Sequence, residues 1–273
     1  MAATSARRMA AQEGENQLVV KGVSKKFGGV TAVQDVSLEA PRGGILSIIG
    51  PNGAGKTSLL NMISGFYKPD TGNVLLDGIE IAWKKPSEIA RLGIARTFQN
   101  IALFSGLTVL DNLMLGRHVL MKSGVLSSVI YWGMAQKEDI AHREAVEEII
   151  EFLKLQDLRK LPTSALAYGL RKRVELGRAL ALDPKVLLLD EPMGGMNQDE
   201  KEDMARYILD VNQERGITVV LIEHDMGVVM DISDKVVVLD RGRRIASGTP
   251  EEVQRDPHVI EAYLGAGKKG GKS

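Results

Sequence analysis

The residues with the strongest chemical signal form a short glycine-rich loop. It lies between an apolar strand pattern, residues 45–49, and a helical pattern, residues 58–63, which is the context that a phosphate-binding loop requires. Glycines let backbone N–H groups turn inward around an anion, and the positive end of the following helix faces the same anion. We expect Lys56 to reach the β and γ phosphates of a nucleotide and Thr57 to bind Mg²⁺. The residues predicted to bind the nucleotide here are Gly50, Pro51, Asn52, Gly53, Ala54, Gly55, Lys56, Thr57 and Ser58.

Two adjacent acids end another apolar run. Asp190 and Glu191 follow residues 186–189, which are typical of a buried strand. A metal-bound triphosphate needs an acid on a neighbouring strand and a group that handles the attacking water. Asp190 is therefore predicted to hold Mg²⁺ through water, and Glu191 to act as the general base. Alone, the pair would also fit a helix N-cap with a solvated neighbour.

Two further polar residues follow strand patterns. His224 comes soon after residues 218–222, and Gln99 follows the short run 94–98. Ligands bind at the carboxyl ends of strands in open α/β sheets, so His224 is predicted to hydrogen-bond the γ-phosphate rather than to be a structural histidine. The Gln99 amide has groups that suit both Mg²⁺ and the attacking water, but its spacing alone leaves catalytic and structural roles equally open.

The strand patterns around these residues predict an α/β fold. Residues 18–23 and 30–38 are partly alternating β-branched runs, which predicts antiparallel pairing near the start of the chain. The continuous apolar runs 45–49, 186–189 and 218–222 predict strands covered on both faces of a mostly parallel sheet. A hairpin is predicted from residues 236–240, a turn at Arg241 and Gly242, and residues 244–246.

The middle of the chain reads as a helical lobe. Val146, Ile149, Ile150 and Leu153 fall on one helical face, and residues 113–182 contain no comparable strand pattern. Ordinary crossover helices are the alternative, but the gap between strands exceeds a normal βαβ connection.

Composition limits the partners and the kinds of chemistry that this chain can have. The chain has 273 residues, 44% of them hydrophobic, and a formal net charge of zero, so we expect no nucleic-acid partner. With no cysteine, disulfides and thiolate chemistry are excluded. The apolar run 125–135 is about half as long as the ~20 residues that span a bilayer, so we expect that it does not cross a membrane. Residues 1–17 and 265–273 are predicted to be disordered ends, the latter a basic tail, around one domain, 18–264.

In order and spacing, the phosphate loop, Gln99, Asp190 with Glu191, and His224 resemble the ABC ATPase family. The resemblance covers nearly the whole chain and implies a P-loop NTPase core, an N-terminal antiparallel β subdomain and a helical subdomain at about 100–182. It also implies that Phe27 stacks on adenine, that Gln99 is the Q-loop glutamine, and that His224 is the switch histidine. The expected ligands are ATP and Mg²⁺.

The signature segment departs from that family's usual Leu-Ser-Gly-Gly-Gln. Here Ala167, Tyr168 and Gly169 stand at positions expected to meet ATP bound on a partner subunit, and Leu170 replaces the glutamine. Gly169 and the following helix N-terminus keep a backbone anion site. We expect ATP hydrolysis that depends on the dimer and is retained. It should be weakened, because Ala167 lacks the hydroxyl of the usual serine.

The Ala-Tyr-Gly signature, with Asn197 where the family usually has an aspartate, is similar to ATPases that import branched-chain and other hydrophobic amino acids. The resemblance implies a homo- or heterodimer on the cytoplasmic face of the inner membrane, two permease subunits and, indirectly, a solute-binding protein. Urea, amide or aromatic-acid import, lipid export and soluble cofactor assembly are the alternatives. A P-loop kinase would lack the signature and the switch histidine.

Overall fold

The computed structural model of the protein describes residues 15–97, 102–117 and 132–267. Its strands are β1 (Asn16–Phe27), β2 (Val30–Pro41), β3 (Ile45–Ile49), β4 (Thr71–Leu76), β5 (Ile79–Glu80), β6 (Ile94–Arg96), β7 (Val186–Asp190), β8 (Thr218–Ile222), β9 (Lys235–Asp240) and β10 (Arg243–Gly248). Its helices are α1 (Lys56–Ile63), α2 (Pro86–Leu92), α3 (Val109–Arg117), α4 (Trp132–Phe152), α5 (Tyr168–Leu180), α6 (Gln198–Arg215), α7 (Met226–Ile232), α8 (Pro250–Arg255) and α9 (Pro257–Gly267). Short 3₁₀ turns lie at Gln156–Leu158 and Thr163–Ala165.

The larger sheet has the order β10-β9-β3-β8-β7-β6, with parallel pairing throughout except for the β9–β10 hairpin. β3, β7 and β8 are buried at every position, as continuous apolar runs predict. Their successive side chains enter opposite cores, since Leu187 and Leu189 join one hydrophobic cluster while Val186 and Leu188 join the other. The parallel α/β core and the C-terminal hairpin are thereby confirmed.

The smaller sheet is antiparallel, with the order β2-β1-β4-β5. β1 and β2 pair as predicted, whereas β4 and β5 are strands that the sequence analysis did not anticipate. Apolar residues from β1, β2 and β4 share a core with α1 and with one face of the larger sheet. This packing holds the phosphate loop between the two sheets.

Helices α3, α4 and α5 form the predicted helical lobe between β6 and β7. In α4, Val146, Ile149 and Ile150 are buried while Glu148 and Glu151 are exposed, which confirms the predicted amphipathic face. Among the described residues of this stretch, the only strand-like pairing is one bridge between Thr108 and Pro162.

Several predicted boundaries differ from the structure. Asn16 and Gln17 lie in β1, and residues 265–267 lie in α9, so both predicted disordered ends are too long. Backbone pairing with β2 explains the first difference. β6 ends at Arg96, while Phe98 lies outside the described residues. Helix α5 begins at Tyr168, before Gly169 rather than after it, so most of the signature segment is helical.

Within the part of the chain that the structure describes, no helix is both long and apolar enough to cross a membrane.

Candidate active site

The phosphate loop joins β3 to α1 by a path that only glycine can follow at two positions. Gly50 has a φ of 145°, and a Cβ added there would lie 2.0 Å from the Leu239 carbonyl oxygen of β9. Gly55 has a φ of 97°, and its added Cβ would lie 2.3 Å from the carbonyl oxygen of Ala32 in β2. Backbone atoms cannot yield as a flexible side chain can, so these two glycines determine the shape of the loop.

A cavity of about 850 Å³ opens over this loop. Its walls bring together residues that are far apart in the sequence, including Glu191 and His224 from the ends of β7 and β8. The lining is Val30, Thr31, Ala32, Asn52, Gly53, Ala54, Gly55, Lys56, Thr57, Ser58, Glu191 and His224. Phe27, Gly50, Pro51 and the buried Asp190 are not part of that lining.

Lys56 is buried at the floor of the cavity. Its ammonium group donates to the carbonyl oxygens of Gly50, at 2.8 Å, and of Pro51, at 3.1 Å. Burial lowers the pKa of Lys56, although the nearby carboxylates of Glu191 and Asp190 act in the opposite direction. The group is thus a partly desolvated cation at the centre of the loop, which strengthens its attraction to an anion.

Asp190 is fully buried at the end of β7. Its Oδ2 accepts a 2.9 Å hydrogen bond from Arg96 Nη2, and only 7% of the Arg96 side chain is exposed. Arg96 also donates to Asn61 Oδ1 at 2.6 Å and to Ser64 Oγ at 3.0 Å. Burial raises the pKa of Asp190, and the Arg96 charge opposes that rise.

Among the residues that the structure describes, the second carboxylate oxygen of Asp190, Oδ1, is buried without a hydrogen-bond partner. Such an acceptor fits water carried by Mg²⁺, a hard ion that keeps several waters and is held by one or two carboxylates together with substrate phosphates. The described residues contain no group of three or more histidines, cysteines and acids that could hold a metal ion. A site of this kind would bind Mg²⁺ together with the nucleotide.

Glu191 and His224 face each other across the ends of β7 and β8. His224 Nε2 lies 2.5 Å from Glu191 Oε1, and the Glu191 backbone N–H donates to the Ile222 carbonyl oxygen at 2.9 Å. Glu191 has a φ of 51°, which is uncommon for a residue with a Cβ. Because both side chains line the cavity, the carboxylate and the imidazole form one hydrogen-bonded unit at its edge.

Phe27 lies at the end of β1, beside the cavity but outside its lining. Phe27 is 41% exposed, and its ring packs edge-on against Tyr67, with the two centroids 5.0 Å apart. Lys25 Nζ lies 5.7 Å from the centre of the same ring. An exposed aromatic held in this way offers a stacking surface. Gln99 lies outside the described residues.

The predicted signature residues lie away from this cavity, at the N-terminus of α5. Ala167 is the exposed N-cap and Tyr168 is 44% exposed, whereas Gly169 is buried. A Cβ added to Gly169 would lie 2.3 Å from Glu200 Oε1 of α6. Leu170 is half-buried and packs against the core.

Asn197 has a local structural role as the N-cap of α6. Its Oδ1 accepts a 2.9 Å hydrogen bond from the Glu200 N–H, and Glu200 Oε2 accepts one of 3.0 Å from the Asn197 N–H. This reciprocal capping box holds the start of α6 beside Gly169.

Sequence reasoning missed Arg96, the ion-pair partner of Asp190. The two residues are 94 positions apart and belong to the paired strands β6 and β7. An arginine at the end of a short apolar strand was the one available signal. It could not indicate which acid the guanidinium would meet.

Comparisons with known proteins agree with this geometry. The model of the ABC transporter family matches residues 33–194, and a model described as branched-chain amino acid ATP-binding cassette transporter matches residues 243–269. The chain is 39% identical over 248 residues to the high-affinity branched-chain amino acid transport ATP-binding protein BraF of Pseudomonas aeruginosa, covering 91% of this chain and 97% of that protein. The corresponding protein LivG of Escherichia coli is 38% identical with the same coverage.

Solved structures show the same fold. The ADP conformation of an ATP-binding cassette of an ABC transporter has a TM-score of 0.81 and 36% identity, covering 92% of this chain and 99% of that one. A dimeric bacterial ABC transporter cassette has a TM-score of 0.72 and 26% identity, covering 85% of this chain and 98% of that one.

Proposed function

Since the chain belongs to the ABC transporter family of ATP-binding cassettes, we propose that it hydrolyses ATP to power the import of branched-chain amino acids. ATP hydrolysis itself follows from the family. The amino-acid substrate is supported by relatives named for branched-chain amino acid transport, with which the chain shares 38% to 39% identity. The match of the specialised C-terminal model at residues 243–269 supports it independently of the catalytic core.

One observation carries the catalytic proposal: Glu191, His224 and the phosphate loop line a single cavity. When the nucleotide binds, the Lys56 ammonium group leaves its two carbonyl acceptors in the loop and donates to phosphate oxygens instead. The backbone N–H groups of residues 52–57 surround the same phosphates. Thr57 and Asp190 hold Mg²⁺, which, when bound, neutralises charge on the β and γ phosphates. In this proposal the Gln99 amide also binds Mg²⁺ and the attacking water.

Glu191 serves as the general base, receiving the proton of the water that attacks the γ-phosphorus. Its contact with His224 at 2.5 Å keeps the carboxylate at the edge of the cavity and orients the imidazole, which hydrogen-bonds the γ-phosphate. Phe27 stacks on the adenine ring. The 5.0 Å edge-on packing on Tyr67 supports this role by fixing the ring.

Ala167, Tyr168 and Gly169 complete the site on a second cassette. Ala167 and Tyr168 are exposed at the start of α5, and all three residues lie outside the cavity of their own chain, which supports a contact made across a dimer. The partner is an identical or a similar cassette. Two permease subunits and, indirectly, a solute-binding protein complete the transporter, in which this chain is peripheral on the cytoplasmic face of the membrane.

Replacing Glu191 by glutamine tests the base. Loss of a general base is expected to lower kcat by roughly 10²- to 10⁴-fold. ATP binding is retained, because Lys56 and the loop are untouched. Glu214→Gln is the matched control, since Glu214 is exposed near the end of α6. Steady-state ATPase rates of both variants decide the point, and a Glu191→Gln enzyme with the parent rate would show the base assignment to be wrong.

The transport proposal is tested by purifying the tagged chain from detergent-solubilised native membranes. We expect two polytopic permeases to accompany it, and reconstituted vesicles to take up leucine in an ATP-dependent way. Recovery of soluble proteins alone would favour a cofactor-assembly ATPase instead. Uptake of urea or aromatic acids without leucine would replace the substrate class and leave the transporter assignment intact.

A further inference from the structure

The buried carboxylate of Glu223 is not used by the catalytic roles proposed above. Glu223 follows β8 directly and is only 4% exposed. A buried carboxylate is costly unless hydrogen bonds satisfy it. Oε1 accepts a 2.8 Å hydrogen bond from the Met193 N–H, and Oε2 accepts one of 2.9 Å from the His224 N–H. Each carboxylate oxygen thus has a backbone donor.

The two donors belong to different catalytic segments. Met193 lies two residues after Glu191, in the turn that leads to the Asn197 cap of α6. His224 carries the imidazole that contacts Glu191. Met193 is itself 1% exposed and packs in the core, so the turn is anchored where the carboxylate binds it.

Together these contacts close a ring. Glu191 contacts His224 through side chains, the His224 backbone binds Glu223, and Glu223 binds Met193, from which the chain returns to Glu191. The backbone hydrogen bond from Glu191 to Ile222, at 2.9 Å, extends the β7–β8 pairing up to this ring. The position of the base relative to the histidine is therefore held from both sides.

We propose that Glu223 is a positioning residue for ATP hydrolysis. It sets the geometry of the Glu191–His224 pair and transmits any shift of the turn after Glu191 to the switch histidine. The inference rests on the roles proposed for Glu191 and His224. It adds a residue that does not itself line the cavity.

A carboxylate is the group this bridge needs. Two N–H donors require two acceptor oxygens, and a glutamine amide supplies one oxygen and one N–H₂ group. Glu223→Gln therefore keeps the size of the side chain but loses one of the two hydrogen bonds, leaves the other without charge assistance and sets the amide N–H₂ against a backbone N–H. Glu223→Asp keeps the charge, but its side chain is one methylene shorter and cannot span both donors.

The same two elements offer a matched control. Lys201 of α6 and Asp225 at the start of α7 form an ion pair of 2.8 Å beside the ring, within reach of the Glu223 charge, and 27% of the Lys201 side chain is exposed. Exposed ion pairs contribute little to the stability of the fold. Lys201→Gln therefore tests for general loosening of these segments, and its kcat should remain within about twofold of the parent.

The test measures kcat and KM for ATP in the full-length chain, together with the unfolding temperature. Glu223→Gln should lower kcat by about tenfold, as expected for one lost hydrogen bond to a charged group, while KM changes by less than about twofold. In a His224→Ala background, the same change should cost less than about twofold, because the residue acts through the histidine.

Three results would overturn the proposal: an unchanged kcat, a rise in KM that matches the fall in kcat, or a full tenfold loss in the His224→Ala background. If Glu223→Gln does not fold, Glu223→Asp must show the same loss of kcat at constant KM, or the proposal fails. Failure of the catalytic roles themselves would be seen separately, as a Glu191→Gln enzyme with the parent rate.

Discussion

Replacing Arg96 by methionine removes the guanidinium that donates a hydrogen bond to the buried carboxylate of Asp190. The pair has a 2.9 Å contact, with side-chain exposures of 7% and 0%. Breaking a buried pair by removing one member costs about 3–5 kcal/mol, because the other charge stays buried. At roughly 2 °C per kcal/mol for a chain of this length, Tm should fall by about 6–10 °C.

The deficit should depend on pH in a predictable direction. Burial raises the pKa of Asp190 above its ordinary value, and loss of the Arg96 charge raises this pKa further. Below the folded-state pKa the carboxyl is protonated and its buried charge is gone. The stability lost in Arg96→Met is therefore fully present above the folded-state pKa of Asp190 in the variant and shrinks as pH falls through that pKa.

Thermal unfolding followed by circular dichroism at several pH values measures both effects. The control is the double variant Arg96→Met with Asp190→Asn, which removes the buried charge as well and should regain most of the lost Tm. A fall of less than about 2 °C, or a deficit that does not change between pH 7 and acidic pH, would refute the reasoning from an isolated buried charge.

Two further predictions concern the phosphate loop. Gly50→Ala should weaken ATP binding by more than about tenfold, because its Cβ would lie 2.0 Å from the Leu239 carbonyl oxygen. Gly106→Ala, where no atom of the described residues lies within 4 Å of an added Cβ, should bind ATP as the parent does in the same fluorescence titration. The pKa of Lys56 is lowered by burial and should rise again when phosphates bind, so the Kd for ATP should increase as pH climbs through the free-state pKa. Calorimetry in buffers of different ionisation enthalpy should detect the proton uptake, and Lys56→Arg should abolish it, since a guanidinium stays charged.

Much of the site was predictable because its signals are local. A glycine-rich loop between a strand and a helix, and polar residues directly after buried strands, are patterns that a few consecutive residues determine. Parallel strands present their carboxyl ends on one edge, so the meeting of Glu191 and His224 at 2.5 Å follows from the order of the sheet. The signals that predicted the amphipathic face of α4 and the antiparallel pairing of β1 with β2 were equally local.

What the sequence by itself determined was the family fold and the identity of the loop, the acids and the histidine. Only the tertiary structure decided which partners those groups have. Arg96 is one of 35 basic residues, and nothing in its surroundings along the chain marks it as the partner of Asp190. Glu223 could equally have been a solvated neighbour of the histidine. Its role depends on β7 and β8 being adjacent and on a turn that brings the Met193 N–H within 2.8 Å. Charge pairing and hydrogen bonding act through space, so they are determined once the strands have packed side by side.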